Sequence, residues 1–190
     1  IIAIGFLSGH VLRAHHGEAL REGYLCVAYA AAEQFTDLLK QRTKGAGFMK
    51  NLLLQRICSS FAAGRSTATM MIEKRTIEGE EAEELLDGIE IPEDERKALD
   101  TLTPAEAECL MVIASELSRP EAKDPKLAAV SYFLDTHKAG TGLERMTWLE
   151  HGCIVFSQYY DTAKWAAGEI AKAHPDIVVA VYAGVGKSGL

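Results

Sequence analysis

Residues 152–163 read Gly152-Cys153-Ile154-Val155-Phe156-Ser157-Gln158-Tyr159-Tyr160-Asp161-Thr162-Ala163, and residues 177–184 read Ile177-Val178-Val179-Ala180-Val181-Tyr182-Ala183-Gly184. The first contains a short continuous apolar run, 153–156, and the second a run at 177–182 rich in β-branched residues. Both patterns predict buried strands. Between them, Ala163, Ala166, Ala167, Ile170 and Ala171 recur at helical spacing, and Pro175 closes the segment. Strand, helix and strand within about 30 residues predict a right-handed parallel crossover.

In an open parallel sheet, ligands bind beyond the carboxyl ends of the strands. Those ends are Ser157-Gln158 and the glycine-rich stretch 183–189, which includes Gly184, Gly186, Lys187 and Ser188. A hydroxyl, an amide, exposed backbone N–H groups and an ammonium at one rim form a phosphate-binding surface, for a nucleotide or for a nucleic-acid backbone. A structural turn without a ligand is the alternative. Gly186-Lys187-Ser188 falls short of a nucleotide P-loop, because the required first glycine is replaced by Val181 inside the run.

Upstream, the pattern is helical. Leu12, Leu20, Tyr24, Val27, Ala31, Phe35, Leu38 and Leu39 predict one long amphipathic helix or two over 11–42. A glycine-containing turn at 44–47 leads to a second helix over 48–73, with Gly64 as its weak point. The pair predicts an antiparallel helical hairpin. Thr103-Pro104-Ala105-Glu106 is a helix start with hydroxyl cap, proline and capping-box glutamate, and the helix should run to about Leu117. Asp124-Pro125 opens another, with Leu127, Val130, Phe133 and Leu134 as its apolar face. The expected fold is mainly α with a C-terminal α/β portion: a helical hairpin or bundle, then an incomplete parallel βαβ unit.

The composition is that of a globular chain: 190 residues, 48% apolar and 25% charged, which excludes disorder and collagen. No apolar run approaches the roughly 18 residues a membrane span needs, and 1–7 is too short and lacks the basic flank of a signal peptide. The formal charge of −7 is uneven: +4 over 1–72, −11 over 73–122 and zero over 123–190. A nucleic-acid partner is therefore not excluded. The acidic block 73–95 reads as a solvated connector. Cys26, Cys58, Cys109 and Cys153 form no C-x-x-C pair, which predicts buried thiols in a reducing, cytoplasmic setting. His10, His15, His16, His137, His151 and His174 have no metal-ligand spacing, and no nucleophile motif is present. No catalytic residue and no metal site is expected.

The stretch 152–163, its helix and the Val181-Tyr182-Ala183-Gly184 end together resemble the start of the second RecA-like lobe of superfamily-two helicases, most closely the Swi/Snf family of DNA-stimulated ATPases. That family's fourth helicase motif is an apolar strand ending in Phe-Ser-Gln, with a helix and a second strand ending in Tyr-x-Gly. Lys126-Leu127 matches half of the family's Ser-Gly-Lys-Leu helix start. Leu52-Leu53-Leu54-Gln55-Arg56-Ile57-Cys58 resembles its leucine-rich box, although the usual His-Pro is replaced by Ser59-Ser60-Phe61. The match covers 124–189, and the helical first half would correspond to the insertion between the family's two lobes.

The resemblance implies a nucleic-acid-translocating ATPase as parent and this chain as a piece of it. The expected division is a helical hairpin region at 1–75, an acidic connector at 76–100, helices leading into the lobe at 101–150, and the start of the RecA-like lobe at 151–190. Ser157, Gln158, Gly184, Gly186, Lys187 and Ser188 would lie near nucleic acid, DNA rather than RNA, and Lys126 near the lobe cleft. The family's Walker A loop, acidic metal motif and arginine finger have no counterpart here. ATP and Mg²⁺ are thus expected to serve the parent, with none bound to this chain, which alone would be inactive. Partners would be nucleic acid, the remaining lobes of the same chain, and a second copy through unpaired strands, with no membrane. The competing expectation is a non-enzymatic helical protein-interaction module.

Overall fold

The computed structural model describes residues 2–5, 23–73, 93–139 and 145–182, with backbone alone for 2–5, 93–96 and 139. Its elements in chain order are β1 (Ile2–Gly5), α1 (Gly23–Leu39), α2 (Ala46–Ser59), α3 (Phe61–Glu73), α4 (Glu93–Asp100), α5 (Pro104–Glu116), α6 (Pro125–Asp135), β2 (Lys138–Ala139), β3 (Met146–Thr147), α7 (Trp148–His151), β4 (Cys153–Phe156) and α8 (Tyr160–Ala173). The protein is mainly helical. It divides into two compact units, Glu18–Ala122 and a second formed by Ile1–Gly17 with Lys123–Leu190.

The first unit is a helical bundle in which α1 packs on α2 and α5, and α3 packs on α2 and α5. Phe35 and Leu39 of α1, Met49, Leu53 and Ile57 of α2, Met71 of α3, and Leu110 and Ile113 of α5 form its core. At roughly 25 cal/mol per Å² of buried apolar surface, this cluster is the main source of the unit's stability. The antiparallel hairpin expected from the apolar spacing is α1–α2. The part of the first expected helix that falls on 11–22 lies outside the described residues.

The second expected helix, 48–73, is divided, and the break is at Ser60 rather than Gly64. Ser60 is extended (φ −162°, ψ 159°), and its N–H donates to the Arg56 carbonyl at the end of α2. Its hydroxyl accepts the Ala63 N–H at 3.0 Å, capping the start of α3. Gly64 has a packing role instead. A Cβ there would lie 2.9 Å from side-chain carbons of both Ile57 and Leu117, so its missing side chain lets α3 approach α2 closely.

Thr103 and Glu106 form the expected capping box, and α5 ends one residue before the predicted Leu117. Within the acidic stretch, 93–100 forms α4, whose Ala98 and Leu99 are buried in the core. Residues 74–92 lie outside the described residues.

In the second unit, Asp124 caps α6 by accepting the N–H groups of Lys126 and Leu127. β4 and α8 lie where the sequence placed them, but the strand pairing differs from the expected crossover. β4 pairs in parallel with β1, Ile2 opposite Cys153 through Gly5 opposite Phe156. Among the described residues the run 177–182 forms no strand, and within it Val181 alone carries a β-bridge. Its first N–H is already used, because Ile177 donates to the His174 carbonyl in a turn closing α8. Val178 and Tyr182 are 85% and 90% exposed. A β-branched run favours extended backbone, but a strand also needs a neighbour for its hydrogen bonds. A separate antiparallel pair, β2–β3, matches Lys138 with Thr147 and Ala139 with Met146.

Candidate functional site

The carboxyl end of β4 is built by a local turn. The Ser157 hydroxyl donates to the Tyr159 carbonyl at 3.0 Å and accepts the Tyr159 N–H at 3.2 Å, turning the chain from the strand into α8. This commits Ser157 to the backbone and presents Gln158 to solvent. Behind the turn, Tyr159 and Thr162 are buried, and the Asp161 carboxylate accepts the Thr162 N–H in the first turn of α8. Along β4, Ile154 and Phe156 are exposed while Cys153 and Val155 are partly covered.

Lys126 stands at the second position of α6, half-buried, with its backbone N–H bound to Asp124. Its side chain is therefore carried on a capped helix start. Gly184, Gly186, Lys187 and Ser188 lie outside the described residues. The structure thus gives the first half of the expected rim, Ser157 and Gln158, as a capped strand end.

Among the described residues, no group of three metal-ligating side chains converges. The cysteines are not uniformly buried as expected. Cys109 is buried and Cys153 intermediate, while Cys26 and Cys58 are exposed, and none of the four is in a disulfide. Burial raises the thiol pKa of Cys109, assisted by the nearby Glu108 carboxylate, and burial alone raises that of Cys153. Both stay protonated at neutral pH, which makes them poor nucleophiles.

Three polar constellations were not visible in the sequence. Arg42 holds Glu106 in a two-pronged ion pair, Nε to Oε1 at 3.0 Å and the second amino group to Oε2 at 2.8 Å, and also binds the Ala98 carbonyl and the Thr101 hydroxyl. Arg56 is fully buried and donates to the Thr67 hydroxyl at 3.1 Å. The Trp148 indole donates to His137 Nδ1 at 2.7 Å, which places that imidazole's remaining hydrogen on Nε2. A pattern of polar residues on an otherwise apolar face could have flagged Arg56, but partners 64 positions apart such as Arg42 and Glu106 carry no local signal.

Among the described residues, no helix is long and apolar enough to cross a membrane. In comparisons by family model, by sequence and by fold, no family, no curated protein and no solved structure matches the chain.

Proposed function

We propose that this chain is a piece of a helicase-like ATPase of the Swi/Snf kind, which couples ATP hydrolysis to movement on or remodelling of double-stranded DNA. This piece contributes nucleic-acid contacts and scaffold for the second RecA-like lobe, with the bundle Glu18–Ala122 as the insertion before it. The observation that carries the reading is the order of parts at 153–173: a parallel strand, a polar turn at its carboxyl end, then a helix. The Phe156-Ser157-Gln158 sequence that resembles the family's motif falls at that strand end.

In this reading Ser157 shapes the turn and Gln158 contacts the tracked strand, its amide donating to a phosphate oxygen or a base edge. Lys187 adds charge, and Gly184, Gly186 and Ser188 add backbone amides. Lys126 lies toward the lobe cleft. ATP and Mg²⁺ bind elsewhere in the parent, which works in the cytoplasm. A self-contained helical core favours a second reading, a non-enzymatic interaction module built on Glu18–Ala122.

Photocrosslinking of duplex DNA to the intact parent, followed by peptide mapping, separates the two. The helicase reading expects crosslinks at 157–158 and 183–189. Crosslinks absent from both segments would overturn the site assignment.

A further inference from the structure

The α1–α2 hairpin carries an exposed cysteine on each helix, Cys26 on α1 and Cys58 on α2, and a tyrosine of α1 reaches across to the second. The Tyr29 hydroxyl lies 2.8 Å from Cys58 Sγ, so Cys58 of α2 leans toward α1. One step along the same seam, Lys50 of α2 pairs with Glu33 of α1 at 2.8 Å. From Glu33 back to Cys26 is seven residues, ~10.5 Å of helix, and from Lys50 on to Cys58 is eight, ~12 Å. In an antiparallel pair both steps lead away from the connecting turn. Cys26 and Cys58 therefore stand at nearly the same level, and both are exposed. Cys58 is next to last in α2.

We propose that Cys58 and Cys26 form a peroxide-responsive thiol pair that closes into an intramolecular disulfide and locks the α1–α2 hairpin. The Cys58 thiolate attacks hydrogen peroxide: an S–O bond forms, the O–O bond breaks, and hydroxide leaves and is protonated to water. Sulfur is oxidised by two electrons and peroxide is reduced. The Cys26 thiol then attacks the Cys58 sulfenic acid, forming the S–S bond and releasing a second water. Tyr29 is a positioning residue, because once the sulfur is charged only the phenol can donate in their hydrogen bond. Burial and the bond to Cys58 push the phenol pKa well above its ordinary value, so that proton stays in place. Cys109, enclosed in the core, takes no part.

The test is stoichiometric hydrogen peroxide on the reduced chain, followed by alkylation and peptide mass mapping. The expected product is a peptide pair linked through Cys26 and Cys58, with the intact mass lower by two hydrogens. In Cys26→Ser, whose site is exposed, dimedone should trap a sulfenic acid at Cys58. Tyr29→Phe should slow alkylation of Cys58 by about threefold while leaving Cys26 unchanged. Absence of the Cys26–Cys58 linked peptide in the wild-type chain, or peroxide entering first at Cys109 or Cys153, would overturn the proposal. The wild-type measurement decides this even if a variant folds poorly.

Discussion

Glu106 is the residue at which the helical bundle should be most sensitive to acid. Its side chain is 1% exposed, yet its two oxygens accept two hydrogen bonds from Arg42, and Oε2 also accepts the Thr103 N–H at 2.7 Å. Burial works to raise the carboxyl pKa, but the Arg42 and Thr103 bonds outweigh it, and the net direction is downward. A carboxyl lowered in the folded state favours folding above its unfolded value of about 4.3. That contribution is lost as pH falls through the lower folded value.

Glu106→Gln keeps an acceptor for Thr103 but removes the charge and one prong of the Arg42 pair. Charge-assisted hydrogen bonds contribute about 1.5–3 kcal/mol, so the expected loss is about 2 kcal/mol at neutral pH. For a unit of this size that lowers Tm by roughly 8–16 °C. Arg42→Ala should cost more, about 3 kcal/mol, because it leaves the buried carboxylate without its cation. The assay is thermal unfolding by far-UV circular dichroism from pH 7 down to pH 3. The wild-type chain should lose stability more steeply than Glu106→Gln below about pH 4.5. A Glu106→Gln variant that melts within a degree of wild type at pH 7 and shows the same acid limb would refute the reasoning.

Two further substitutions test the division of 48–73 into α2 and α3. Ser60→Ala removes the hydroxyl that caps Ala63 and should cost about 1 kcal/mol in a urea melt; no change would mean the cap is inert. Gly64→Val pushes new carbons against Ile57 and Leu117 and should cost about 1–3 kcal/mol, whereas a neutral outcome would show that α3 is not held close to α2.

The parts of the fold that were legible are those written in adjacent residues. The caps at Thr103 and Asp124 are complete within four positions, and the structure places both helix starts there. The apolar spacing located α1 and the run 153–156 located β4, but their expected burial is only partial: Val27, Ile154 and Phe156 are exposed. Ser60 was harder to read, because a serine after a serine marks a break only if its backbone leaves the helix, and Gly64 looked like the weaker link. The run 177–182 shows the limit of texture: its residues favour an extended conformation, but the identity of a strand's neighbour depends on chain far away. The partner β4 takes is β1, about 150 positions earlier in the chain. At the candidate site, the sequence found the strand end but left open what Ser157 does there. The structure uses its hydroxyl as a backbone cap.

DNA-stimulated ATP hydrolysis by the full-length parent bears most directly on the helicase reading. Hydrolysis should rise severalfold on adding duplex DNA, and Lys187→Ala or Gln158→Ala should reduce that rise while leaving the basal rate in place. A parent that hydrolyses no ATP, or does so at a rate indifferent to nucleic acid, would contradict it.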